Sequence, residues 1–138
     1  MNYSVNKGLK QYNQVVAQSA VGGVTPHRLI QMLLEGAINK ITMAKGYMNH
    51  NDVPNKGSHI SWAIAIIGGL RGSLNKEAGG AIAQNLDDLY DYMCRRLVQA
   101  NLNNQPELLD EVNALLRELK SGWDSIPTEV QQSAKAGE

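Results

Sequence analysis

The side chains best suited to binding a metal, moving a proton or attacking a substrate are three histidines, one cysteine and thirteen carboxylates. His50, Asp52 and His59 could converge on a metal across a turn between two helices. Polar residues of these types also keep such a turn hydrated, and that plainer role carries more weight than a metal site. In helical bundles a di-iron centre needs a Glu with a His three residues later. None of Glu35, Glu77, Glu107, Glu111, Glu118 or Glu129 has one. Covalent haem needs two cysteines and a histidine, and Cys94 stands alone. A lone thiol between Met93 and Arg95 is more often a small packing group than a nucleophile. Gly68-Gly69 lacks the spacing and the lysine of a phosphate loop and does not follow a strand. The expectation is a protein without catalytic residues, cofactor or metal.

The chain of 138 residues is the size of one domain, and 43% apolar against 19% charged residues places it among globular sequences. Thirteen basic and thirteen acidic side chains cancel. That balance argues against nucleic acid and against a polybasic membrane anchor, both of which need a cationic surplus. The halves differ: residues 1–69 carry six basic and two acidic groups, and residues 70–138 carry seven and eleven. Most of this reads as solvated helix faces and helix ends. A smaller weight goes to an acidic patch at Asp87, Asp88 and Asp91 that would attract a basic segment. One cysteine makes no internal disulfide, so packing must supply the stability. Met1 to Gly8 has no apolar run of the kind a signal peptide needs. The densest apolar stretch, Trp62 to Leu70, is far shorter than the ~20 residues of a spanning helix. Cytoplasmic residence follows as the expectation.

Residues 1–24 read as an N-terminal arm, flexible or docked as a cap, in which Leu9, Tyr12 and Val16 share one side of a two-turn helix. Thr25-Pro26 then opens a helix, because threonine accepts from first-turn amides and proline there forfeits no needed donor. Ile30, Leu33, Leu34, Ala37, Ile41, Ala44 and Met48 recur at helical spacing. Pro54 and Gly57 are expected to punctuate the following turn. A second helix carries Ile60, Ala63, Ile64, Ile67 and Leu74 and is expected to end at Gly79-Gly80. A third carries Ile82, Leu86, Leu89, Tyr90, Met93, Leu97 and Ala100 on its apolar face. A fourth carries Leu108, Val112, Leu115, Leu116, Leu119 and Trp123 and stops before Pro127. The fold class is therefore all-α: an antiparallel four-helix bundle over 25–124 with a short N-terminal helical arm and a disordered tail over 125–138.

The second helix is unusual. Ile64 and Ile67 face one way while Trp62, Ile66 and Leu70 face another, and Gly68, Gly69 and Gly72 each cost about 1 kcal/mol against alanine in a helix interior. Either this is the most buried helix of the bundle, or its second apolar face is a groove for a partner's amphipathic helix. Periodicity does not choose between the two.

Thr25-Pro26 with Leu29 to Ala37, Leu74 to Gly80, Ala83 to Met93, Leu97, Ala100-Asn101 and Trp123 form a series of motifs. Taken together, these segments resemble a known family, the flagellin-specific export chaperones (FliS). They fall in order along the chain, and the resemblance covers about residues 8–124. The sequence departs from the family at Leu34, where a tyrosine is usual. The resemblance implies a cytoplasmic helical bundle that binds the disordered C-terminal segment of flagellin. It would prevent premature polymerisation and assist delivery to the flagellar type III export apparatus, whose components are further partners. It also implies an N-terminal arm able to occupy part of the cargo site. The expected partner-binding residues are Tyr12, as the plug, and Ile64, Ile67, Gly68, Leu74, Leu86, Tyr90 and Met93, each of which serves equally as bundle core. The chain is expected to be a monomer or weak homodimer. A generic bundle adaptor or regulator that docks an amphipathic helix of another cytoplasmic protein is the alternative.

Overall fold

The computed structural model describes residues 24–127, which form four helices: α1 (Pro26–Asn49), α2 (Val53–Gly72), α3 (Lys76–Asn103) and α4 (Pro106–Asp124). Tyr12, with nearly all of the expected arm, and the tail beyond Pro127 lie outside the described residues.

Local chemistry starts each helix. Thr25 Oγ1 accepts from the Arg28 amide at 3.1 Å, and Pro26 follows in the first turn. Asp52 accepts from the Asn55 amide at 3.3 Å and Asn75 from the Ala78 amide at 3.1 Å. Two boundaries differ from the sequence expectation. Pro54 and Gly57 lie inside α2, because proline in a first turn gives up an amide that has no helical partner anyway. Gly79-Gly80 does not end the second helix. α2 stops at Gly72, Leu74 sits in the connection, and Asn75 caps a new helix that carries both glycines in its opening turns. Gly80 breaks α3 locally with φ +52° and ψ −126°, a left-handed conformation that glycine adopts without a Cβ penalty.

α1 packs on α2 and α4, and α3 packs on α2 and α4, so the four helices form a closed ring. Side-chain ties fix the antiparallel sense. At one end, Lys45 Nζ lies 2.9 Å from Asp110 of α4, and the buried Lys56 ammonium donates to Asn101 O (3.0 Å) and Asn104 Oδ1 (2.6 Å) at the end of α3. At the other end, Gln31 donates to Asp124 at 2.6 Å. The core runs between these ends through Leu34, Ala37, Ile41, Ile60, Ile66, Ile67, Met93, Leu97, Leu109, Val112 and Leu116. One expected core residue is not in it. Ile82 is 73% exposed, because α3 has only just emerged from the Gly80 kink at that point.

Candidate functional site

At the end of the bundle where α1 and α3 begin and α2 and α4 finish, the helices enclose a groove of about 850 Å³. α1 contributes Leu29, Ile30, Leu33 and Leu34, and α2 contributes Ile66, Gly69 and Leu70. α3 supplies Ile82, Ala83, Leu86 and Tyr90, and α4 supplies Leu119 and Trp123. The sequence of α3 explains the opening. Its first residues after Glu77 are Ala78, Gly79, Gly80 and Ala81, too small to fill the space opposite α1. Gly69 on the facing helix likewise presents no side chain to the groove.

Polar contacts brace this apolar space from outside. Trp123 stacks on His27 at 4.8 Å with the rings 9° from parallel, and its Nε1 donates to His27 O at 2.9 Å, holding the end of α4 against the first turn of α1. On the opposite rim, Arg71 at the end of α2 donates through Nε to Asp87 Oδ1 at 2.6 Å, and Lys76 Nζ reaches Asp87 Oδ2 at 3.2 Å. Arg71 Nη1 also reaches Asp91 at 3.2 Å. The Arg71 hydrogen bond holds the Asp87 carboxyl below its ordinary value of 3.8 against the opposing effect of burial, with Lys76 adding to it. A depressed native pKa contributes stability that is fully present above the unfolded value and is lost as pH falls through the lower folded one. Asp87→Asn should therefore flatten the loss of stability below about pH 4, read as the urea midpoint against pH. The slope will not vanish, because Glu111 (bonded to Tyr92 and Arg96) and Asp124 (bonded to Lys120 and Gln31) are also held low. An unaltered acid limb in Asp87→Asn would contradict the assignment.

The structure distributes the sequence-derived residues unevenly. Leu74, Leu86 and Tyr90 line the groove. Ile67 and Met93 are fully enclosed in the core, and Ile64 packs half-buried against it. Gly68 is exposed, with nothing within 4 Å of where a Cβ would stand, so no described part of the chain approaches it closely. Sequence reasoning did not single out the α1 wall, Ile82 or Trp123 as groove residues. The signal available was the near-continuous apolar run Leu29-Ile30 and Met32-Leu33-Leu34, wider than one core stripe needs.

The other chemistry-bearing residues are engaged locally. Asp87 and Asp91 are ion-paired with Arg71, Lys76 and Arg95, and Asp88 accepts from Gln84, so the acidic patch is largely neutralised within the fold. His50 Nδ1 and His59 Nδ1 face carbonyls of their own helices at 2.8 Å, and Asp52 caps α2. Among the described residues no group of three His, Cys, Asp or Glu side chains could hold a metal ion. Burial pushes the Cys94 thiol up to about 11, which leaves it protonated at neutral pH. No described helix is long and apolar enough to cross a membrane.

The sequence profile of the family described as "Flagellar protein FliS" matches residues 8–130. The flagellar secretion chaperone FliSB of Pseudomonas aeruginosa is 52% identical over 120 residues, covering 87% of this chain and 95% of that protein. The flagellar secretion chaperone FliS of Vibrio cholerae is 43% identical over 88% of this chain and 89% of its own. The Bacillus subtilis protein of the same name is 32% identical over 77% and 78%.

Proposed function

This chain belongs to the FliS family of flagellar proteins, and on that premise we propose that it is a flagellin export chaperone whose cargo site is the apolar groove at the open end of the bundle. The cargo is the disordered C-terminal segment of flagellin, which folds as an amphipathic helix with its apolar face against Leu29, Ile30, Leu74, Ile82 and Leu86. The observation that carries the reading is the groove itself: about 850 Å³ between all four helices, walled by aliphatic side chains. A small-molecule site of this size usually presents several convergent polar groups. Here Ser73, Asn75 and Trp123 commit their polar groups to Leu70 O, the Ala78 amide and His27 O, which leaves the Tyr90 phenol.

The mechanism is competition for an apolar surface. Flagellin segments that would pack on one another are covered, so assembly does not nucleate in the cytoplasm, and the cargo is passed on to the export apparatus. Buried apolar area at about 25 cal/mol per Å² drives binding, and the ordering of a flexible segment opposes it. That opposition keeps the complex reversible. The N-terminal arm, residues 1–24, is a competing occupant through Tyr12. Pro26 lines the groove, so the preceding chain enters the described structure at its mouth.

Calorimetric titration of the full chain with a monomeric flagellin C-terminal segment tests the proposal. Sub-micromolar 1:1 binding, a negative heat-capacity change and a gain of helicity in circular dichroism are expected. No heat at tens of micromolar would leave the chain a FliS-fold bundle that docks some other helix.

A further inference from the structure

We infer that the Tyr90 hydroxyl selects the cargo register by donating a hydrogen bond to a neutral carbonyl oxygen on the bound helix. The inference rests on the reading of the groove as the flagellin site and adds a polar requirement to it. Tyr90 is 6% exposed and lines the groove from α3. Among the described residues its hydroxyl has no hydrogen-bond partner. Three unpartnered side-chain polar atoms are wholly enclosed, Trp62 Nε1, Gln105 Oε1 and Asn113 Oδ1, and the Tyr90 oxygen is not one of them. It therefore keeps some access to solvent, and the residue that carries it lines the groove. Burial also raises the phenol pKa, so at neutral pH the group is a donor and not a phenolate.

In the free protein water can satisfy the phenol, and the cost of an unpaired donor arises only when cargo covers it. An apolar helix face laid over it would seal the hydroxyl from water and incur that cost. A cargo that places an acceptor there removes it. A cargo shifted by one residue does not, because the side chain at that spot then comes from a different face of the helix. The acceptor is expected to be neutral. The nearby cations Arg71 and Lys76 are both engaged with Asp87, so a carboxylate entering the groove would be desolvated without a counter-charge. Neutral carbonyl oxygens come from two places on a helix: the last turn of the main chain, whose carbonyls lack helical partners, and the side chains of Asn and Gln.

Tyr90→Phe removes the donor and keeps the ring. We expect it to weaken binding of the flagellin C-terminal segment about tenfold by calorimetry, since the cargo acceptor is then buried unpaired. The urea midpoint of the free protein should stay level or rise, because nothing in the free fold loses a bond. Changing each cargo Asn and Gln to Ala in turn then locates the acceptor. One replacement that weakens the unaltered chain about tenfold, and Tyr90→Phe no further, assigns it to that side chain. A tenfold loss with Tyr90→Phe that no such replacement reproduces assigns it to the main chain. Equal affinity of Tyr90→Phe and the unaltered chain would overturn the inference while leaving the groove reading intact. A clearly lower urea midpoint for Tyr90→Phe would also overturn it, by showing that the hydroxyl is bonded in the free fold. Absence of binding by the unaltered chain would overturn the groove reading and this inference together.

Discussion

Ile82→Asp should weaken binding of the flagellin segment at least a hundredfold and leave the urea unfolding midpoint where it is. Few single residues separate fold from site so cleanly. Ile82 is 73% exposed in the free protein, so it lends little to the bundle, yet it forms part of the α3 wall of the groove. Covering an isoleucine side chain contributes about 1.5–3 kcal/mol to a complex. Aspartate forfeits that and adds the cost of stripping water from a carboxylate against aliphatic neighbours, a further several kcal/mol. Calorimetry and urea denaturation on the same sample read both halves of the expectation. Undiminished affinity would mean that the cargo helix does not lie on the α3 wall.

The opposite dissociation is expected at Leu97. This side chain is fully enclosed, sits on α3 below the groove, and does not line it. Leu97→Ala removes three heavy atoms from a close-packed layer, which costs about 2–5 kcal/mol because the surroundings collapse only in part. Against a typical net stability of about 5–15 kcal/mol, that loss shifts the urea midpoint far more than any groove substitution should. The folded fraction should bind flagellin with unchanged affinity. A loss below about 1 kcal/mol would contradict the central position assigned to Leu97, and a selective loss of affinity would extend the cargo contact beyond the groove.

The bundle was legible in the sequence wherever one residue type has one local use. Thr25-Pro26 marks the start of α1, and the spacing of Leu33, Ala37, Ile41, Ala44 and Met48 gives its buried stripe. Legibility failed where a residue has two uses. Gly79-Gly80 read as a stop, but Asn75 had already capped a new helix, and the pair serves as a kink within its first turns. Pro54 read as a break and is a first-turn residue. Ile82 fitted the apolar period of α3, yet at the kinked end of that helix it is 73% exposed.

The groove was harder to read than the helices, because a void belongs to no single segment. Periodicity shows which face of a helix is apolar and says nothing about how far apart two such faces stand. The breadth of the apolar surface on the second helix suggested a groove, but the residues expected in it were Ile64, Ile67 and Gly68, whereas Ile66, Gly69 and Leu70 of α2 line it. The spacing that leaves it open comes from small residues on two helices, Gly69 and the run Ala78 to Ala81, and their effect appears only once α3 stands opposite α1.

Amide hydrogen exchange of the full chain, with and without the flagellin C-terminal segment, locates the cargo most directly. The account predicts new protection confined to the helix ends around the groove, residues 26–34, 66–90 and 119–123, with matching protection appearing in the cargo as it becomes helical. Protection centred instead on the far end of the bundle, around Tyr47, Asp52 and Leu102, would contradict the claim that the groove is the cargo site.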